Sequence, residues 1–392
     1  MVAGSASNAG GRPRLGGVES LRAYAAFAIV IFHVIHLAQA PVPQSLEFMK
    51  DFFGYGVPLF FVVSAFSLAY GYDGRVFGDG RLQEFYLRRL LRIAPLYYLA
   101  LATWMAAMAL IGGPPPSLSL LVLCLTFLFN LAPDAVDGIA PASWSIGVEM
   151  LFYVIFPFVM ALARTLPRAI LVTVAFGGLA LVFAATGTRL KLNPSFVVHG
   201  LLFNLPYFGF GLIAFRLSQF ASPRLGGVLT IAGLVMTVAM WASASMLAGR
   251  IGWTVNILYM MAWGAPFALI CLGMALRPLA ILSNPATEFL GKISFGLYLG
   301  HPQVIFVLSQ LGVYERIQEI PGGSGVTFPL AVLVTSAALI PIAWVLYAFI
   351  ERPGMELGRR WGRRLRAASS APARTADGLI AAQAAPPSAE QI

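Results

Sequence analysis

The sequence predicts an all-α, polytopic membrane helix bundle of about ten transmembrane spans with one short re-entrant or partial helix, and three observations carry that prediction. Hydrophobic residues make up 59% of the 392 and charged residues 11%, with a mean hydropathy of +0.80, a balance foreign to soluble domains of this length. Apolar runs long enough to cross a bilayer recur along nearly the whole chain. The basic residues sit in short clusters between those runs, as membrane orientation signals do. The net charge of +10 therefore points to no nucleic-acid partner.

In order, apolar runs begin near residues 21, 54, 90, 117, 144, 168, 196, 225, 253, 293 and 327. The first follows Arg12 and Arg14, and Ala38-Gln39-Ala40 resembles a leader cleavage site. Its length, its two histidines and the Pro41 that would follow the cut make it a retained span instead. The run from Ser117 to Leu131 lies between Pro114-Pro115-Pro116 and Pro133 and is too short to cross, which suits a re-entrant or partial helix. If it does not cross, only Lys50, Arg189, Lys191, Arg250 and Arg316 of the 26 Lys and Arg fall opposite the N-terminus. The positive-inside rule then gives ten spans with both termini cytoplasmic. The expected organisation is a tail over 1–16, a membrane domain over 17–353, and a C-terminal tail over 354–392. That last tail opens on the basic RRWGRRLR, a membrane-surface anchor, and continues Ala/Pro/Ser-rich and disordered. Cys124 and Cys271 both lie in apolar segments and read as packing residues.

Ionisable side chains inside such spans are costly, so each is a functional hypothesis. Arg22 and His33 share the first span, eleven residues apart. That is three turns plus about 20°, so both lie on one face roughly 16 Å apart, the arginine near the surface and the histidine near mid-bilayer. In FYLRRLLRIAPLYY, Arg88, Arg89 and Arg92 cluster at the start of the third span, a guanidinium group suited to a phosphate-bearing ligand or simply to topology. In ASWSIGVEMLFYVIFP, Ser145, Glu149 and Tyr153 recur every four residues on one face, and Ser143 is positioned to cap the helix. A carboxylate buried there needs a cationic or hydrogen-bonding partner, for which a histidine is the obvious candidate. KISFGLYLGHP sets Ser294, Tyr298 and His301 on a late span. Glu351-Arg352-Pro353 reads as a helix stop with a local ion pair, and His36 and His199 as interfacial or packing residues. Four histidines without an i, i+4 pair imply no metal, and no glycine-rich nucleotide loop follows a strand.

Four blocks of residues now resemble the acyltransferase-3 family of integral membrane acyltransferases. They are Arg22 with His33, Arg89-x-x-Arg92 before Pro95-Leu96-Tyr97-Tyr98, Ser143-Trp144-Ser145-x-x-x-Glu149, and Ile293-Ser294-Phe295 to His301. Met150 stands where many members of that family carry a second acidic residue. The resemblance implies a ten-span enzyme of a bacterial inner membrane that moves an acyl group, acetyl by default, from cytoplasmic acyl-CoA to a hydroxyl of a carbohydrate or glycolipid acceptor outside. No cofactor is permanently bound; acyl-CoA is the donor substrate. His33 would be the catalytic base or a transient acyl carrier, with Glu149 fixing its tautomer. Arg22, Arg88, Arg89 and Arg92 would hold the donor. Ser143 or Ser145 would stabilise the oxyanion, and Tyr153, Ser294, Tyr298 and His301 would support the site. The reading from another class is a secondary transporter or flippase, which intramembrane Arg, His and Glu would also serve; the absence of an internal repeat tells against it. The other broad class of membrane-bound O-acyltransferases also uses a mid-membrane histidine but is not favoured by the Arg22 to His33 spacing.

Overall fold

The first helix, α1 (Gly16–His36), runs through the middle of the bundle, with Glu19 in its first turn, where the helix dipole favours an acid, and His33 and His36 in its last. The computed structural model describes residues 15–75, 77, 80–247 and 253–370, and its regular elements are all helical among these. The further long helices are α2 (Gly56–Tyr72), α3 (Arg81–Leu110), α4 (Trp144–Leu162), α5 (Leu166–Arg189), α6 (Leu201–Ser218), α7 (Gly226–Leu247), α8 (Gly264–Leu276), α9 (Ser294–Gln310), α10 (Ser324–Leu346) and α11 (Arg352–Ser370). Among the described residues nine helical stretches are long and apolar enough to cross a membrane. The tenth expected span, α9, has 17 residues, the short end of the spanning range.

The run after Ser117 forms an eight-residue helix, Leu118–Leu125, capped by the Ser117 hydroxyl accepting from the Leu120 amide, and then a 3-10 turn at Phe129–Leu131. Eight residues rise only about 12 Å, so this piece does not cross. The span expected from residue 253 begins as Trp253–Ala262, breaks at Trp263 and resumes as α8. Residues 1–14 and 371–392, with the tail sequence expected to be disordered, lie outside the described residues.

Two apolar clusters meet on α1. Val18, Leu21 and Ile29 join the larger core built with α2, α3, α4, α6 and α8, while Ala26, Val30, Val34 and Ile35 join a second core with α9 and α10. Close backbone approach fixes its neighbours: a Cβ at Gly291 would run into the Glu19 carbonyl, so the helix Pro285–Lys292 lies directly against α1. Helices α5 and α7 are peripheral, with Leu171, Val174, Val182 and Val235 exposed as lipid-facing side chains are.

The expected helix stop at Glu351-Arg352-Pro353 is corrected. Helix α10 passes through a π turn, Tyr347–Glu351, straight into α11, which folds along α3. Pro353 is the second residue past the π turn, a break in the α-helical hydrogen-bond register that a residue without an amide hydrogen can occupy. The expected ion pair is absent as well: Arg352 Nε donates to Glu356 at 3.1 Å, and Glu351 turns inward, 3% exposed. Gly354, Gly358 and Gly362 form the seam against α3, where side chains would meet Leu91, Arg88 and Glu84.

Candidate functional site

Two cavities enter the bundle from opposite faces. The first opens at the face carrying the start of α1. Six basic side chains line it, Arg22, Arg88, Arg89, Arg92, Lys292 and Arg359, against three acids, Glu19, Glu149 and Glu351. The second opens at the other face and is lined by His33, Phe32, Trp104, Asp137, Trp144 and His199 among others. Val57 and Tyr298 are the lining residues that the two share, so they form the wall between a basic chamber and a histidine-bearing one.

The arginines are held differently. Arg22 Nη1 pairs with Glu19 at 3.2 Å and Nη2 donates to Ser67 Oγ at 3.0 Å, which turns the guanidinium of α1 towards α2. Arg88 is buried beside Glu84. Arg89 sits between the rings of Tyr72 and Tyr153, at 5.5 and 5.8 Å from their centroids, and donates to Tyr72 Oη at 3.4 Å. Arg92 makes no hydrogen bond to any described residue, and it and Arg22 are the cations that act on Glu351. One oxygen of Glu351, Oε2, is buried without a hydrogen-bond partner among the described residues. The chamber therefore keeps guanidinium capacity that its own acids do not consume.

Glu149 does not meet His33, which corrects the expected pairing. Its Oε1 accepts from Ser64 at 2.6 Å and from Tyr153 at 2.5 Å, both on the basic side. The α4 face that brings Glu149 and Tyr153 together is turned towards α2 and α3, and the serine that completes the set comes from α2. His33 instead contacts His301: His33 Nδ1 lies 3.0 Å from the Ile29 carbonyl and 3.1 Å from His301 Nε2, with ring centroids 4.7 Å apart. A carbonyl oxygen only accepts, so the Ile29 contact sets the proton of His33 on Nδ1 and leaves Nε2 unprotonated. His301, fully buried on α9, is then an acceptor for the same proton.

Tyr298 is pinned at the wall. Its hydroxyl donates to the Ala142 carbonyl at 2.7 Å and takes the Ser145 hydroxyl at 2.6 Å. Ser145 thus fixes Tyr298 rather than presenting a spare hydrogen to an oxyanion. Ser143 lines neither cavity and does not cap α4. Its buried hydroxyl donates to the Asp137 carbonyl at 3.1 Å, because Gly138, at a φ of 74°, folds the preceding loop back over it. Ser294 opens α9 and lines the basic cavity.

Of the sequence-predicted residues, the structure gathers Arg22, Arg88, Arg89, Arg92, Ser145, Glu149, Tyr153, Ser294 and Tyr298 around the first cavity, and His33 with His301 at the second. Sequence reasoning missed Ser64, Ser67, Tyr72, Lys292, Glu351 and Arg359 on the basic side and Asp137 on the other, and passed over His199. Only Glu351 carried a signal, an acid at the end of a span. His36 behaves as an interfacial residue, its Nε2 3.0 Å from the Lys50 carbonyl. Both cysteines are buried thiols, and among the described residues no cluster of metal-ligating side chains forms.

Residues 15–348 match the family described as an acyltransferase domain. The chain is similar to the acyltransferase MdmB of Streptomyces mycarofaciens, 26% identical over 380 residues, covering 88% of this chain and 93% of that protein. It is also similar to ORF330 of Acidianus two-tailed virus, a protein named as a candidate acetyltransferase, 25% identical over 325 residues and covering 80% and 89% of the two chains. No solved structure matches the chain.

Proposed function

The chain belongs to the acyltransferase-3 family and is a membrane-embedded O-acyltransferase, and from that premise we propose that it moves an acyl group, acetyl first of all, from cytoplasmic acyl-CoA to a hydroxyl of a sugar or glycan acceptor at the outer side of a bacterial inner membrane. The observation that carries this reading is the meeting of two chemically unlike cavities at Tyr298 and Val57. CoA is a phosphate-bearing anion on a long thiol arm. The basic cavity offers it arginines, of which Arg92 gives no hydrogen bond to any described residue, and guanidinium groups bind phosphate bidentately without losing charge. The excess of Lys and Arg on the N-terminal side supports a cytoplasmic origin for that cavity.

In this scheme the thioester reaches the wall at Tyr298 while the acceptor enters the second cavity. His33 Nε2 takes the acceptor proton as the hydroxyl oxygen attacks the thioester carbonyl. The carbon–sulfur bond then breaks, and CoA leaves through the basic cavity as the thiol once the proton has passed to sulfur. Hydrogen bonds from Nδ1 to Ile29 and His301 hold the imidazole in the tautomer this needs. Glu149, bound by Ser64 and Tyr153, shapes the donor chamber instead of orienting the base.

The test is free-thiol release from acetyl-CoA by purified protein supplied with envelope glycans. His33→Ala is expected to lower turnover by about 10²–10⁴-fold while the protein stays folded. Turnover at the wild-type rate in that variant would overturn the assignment of the base. A wild-type protein that neither binds nor turns over acyl-CoA would overturn the donor.

A further inference from the structure

The scheme above leaves the basic stretch of α11 unused. This helix lies antiparallel to α3, because side chains at Gly354, Gly358 and Gly362 would meet Leu91, Arg88 and Glu84 in turn. Moving outward along α11 is therefore moving back towards the first residues of α3, on the face where the basic cavity opens. Two arginines of α11 are committed to the bundle. Arg359 lines the cavity, and Arg366 pairs with Glu84 at 2.6 Å. The glycine seam and this ion pair hold the helix, and its outer flank takes no part in either.

Arg89 and Arg92 of α3 and Arg359 of α11 line one cavity, so they mark one flank of the seam. Helical periodicity puts Leu90 of α3, and Leu357, Trp361 and Leu365 of α11, on the opposite flank. The last three recur every four residues as one apolar stripe, 37%, 46% and 38% exposed, and they extend outward the surface on which Leu90 is 42% exposed. Arg360 and Arg364 stand one residue before Trp361 and Leu365, about 100° round the helix, and border the stripe. Both are exposed, and neither makes an ion pair or hydrogen bond to a described residue. Glu356, the acid in the same column, is taken by Arg352 at 3.1 Å. An indole between two leucines with guanidinium groups at its margin suits a membrane interface. There the apolar side chains enter the acyl boundary, and long arginine stems reach the headgroups. An anionic headgroup supplies the counter-charge that Arg360 and Arg364 lack, and a zwitterionic one does not.

We propose that the outer flank of α11 is a binding site for anionic phospholipid, with Leu357, Trp361 and Leu365 seated in the interface and Arg360 and Arg364 on the headgroup phosphates. Such a site stands apart from acyl transfer and does not depend on it. It gives the RRWGRRLR stretch a lipid preference and named contacts. Soluble phosphate or an acidic protein segment would satisfy the arginines but not an apolar stripe that runs on from the lipid-facing side of α3.

The experiment uses the full chain in phosphatidylcholine vesicles into which brominated phosphatidylglycerol or brominated phosphatidylcholine is mixed. Bromine quenching of Trp361 is read as the difference between the protein and its Trp361→Phe variant, so that the other six of the seven tryptophans cancel. Wild type is expected to reach half-quenching at a mole fraction of phosphatidylglycerol about tenfold below that of phosphatidylcholine. Arg360→Gln combined with Arg364→Gln should bring the two lipids to within about twofold. Arg360→Lys with Arg364→Lys should keep most of the preference because the charge remains, and about 1 M salt should shrink it. Arg164→Gln with Arg168→Gln, exposed arginines at the start of α5, should leave it unchanged. Equal quenching by both lipids in wild type, a preference that survives the glutamine pair, or the same loss in the α5 variant would overturn the proposal. A Trp361 that neither lipid quenches would overturn it in favour of an acidic protein partner. A preference abolished by millimolar glycerol phosphate would overturn it in favour of a soluble phosphate.

Discussion

At the scale of single residues the site divides between what one helix can encode and what only a fold can assemble. Arg22 and His33 share a face of α1, and Ser145, Glu149 and Tyr153 share a face of α4, because helical periodicity is written locally. The contact that matters most to His33 is with a residue 268 positions away. No local pattern announces it, which is why Glu149 looked like the partner and His301 only like support. This contact makes a specific prediction. His301→Ala removes an acceptor for the Nδ1 proton and leaves the imidazole tied only to Ile29, so kcat should fall by about 10–100-fold. His301→Gln, whose amide oxygen still accepts, should recover much of that loss. Equal damage in both variants, measured as acetyl transfer from acetyl-CoA, would mean that His301 fills space and does not hold the tautomer. The pairing of Asp137 with His199 was illegible for the same reason, since one sits in a loop and the other at the end of a short helix, 62 residues apart in sequence.

At the scale of elements, the short Leu118–Leu125 helix and the long spans follow from run length and flanking prolines, which the sequence displays openly. The end of α10 was misread because a proline after a charged pair is an ordinary stop signal. Here the π turn absorbs the change of register, so α11 continues and carries Arg359 back over the basic cavity. That seam is testable. A side chain at Gly354 would strike the Leu91 carbonyl, and backbone cannot retreat as a flexible side chain can. Gly354→Leu should therefore destabilise the protein by about 1–3 kcal/mol and push α11 off α3. Displacing Arg359 in this way should raise the KM for acyl-CoA more than it lowers kcat. Gly178→Ala, at a helical position where nothing lies within 4 Å, controls for a general effect of losing a glycine. An unchanged KM in Gly354→Leu would separate α11 from donor binding.

At the scale of the whole molecule, the bundle presents a basic chamber to one face and a histidine chamber to the other, with α1 lining both: Arg22 on the first and His33 on the second. If the two faces are the two sides of a membrane, single cysteines should report it. Cys124 and Cys271 are both fully buried, so the background of labelling is low. Arg92→Cys should react with a membrane-impermeant maleimide only from the side of the N-terminus, and His33→Cys only from the opposite side, in vesicles of known orientation. Reaction of both from one side would dismantle the two-chamber scheme. The same scheme assigns a duty to Tyr298. Pinned by Ala142 and Ser145, it separates the thioester from water in the second cavity until an acceptor occupies that space. Tyr298→Ala removes the ring between the chambers, and acetyl-CoA hydrolysis without acceptor should rise severalfold while transfer to acceptor falls. Tyr298→Phe keeps the ring but loses both hydrogen bonds, and it should leak less than the alanine variant. Should the alanine variant hydrolyse acetyl-CoA no faster than wild type, water is being excluded by something other than this wall, and the meeting point of donor and acceptor must be sought elsewhere along α1.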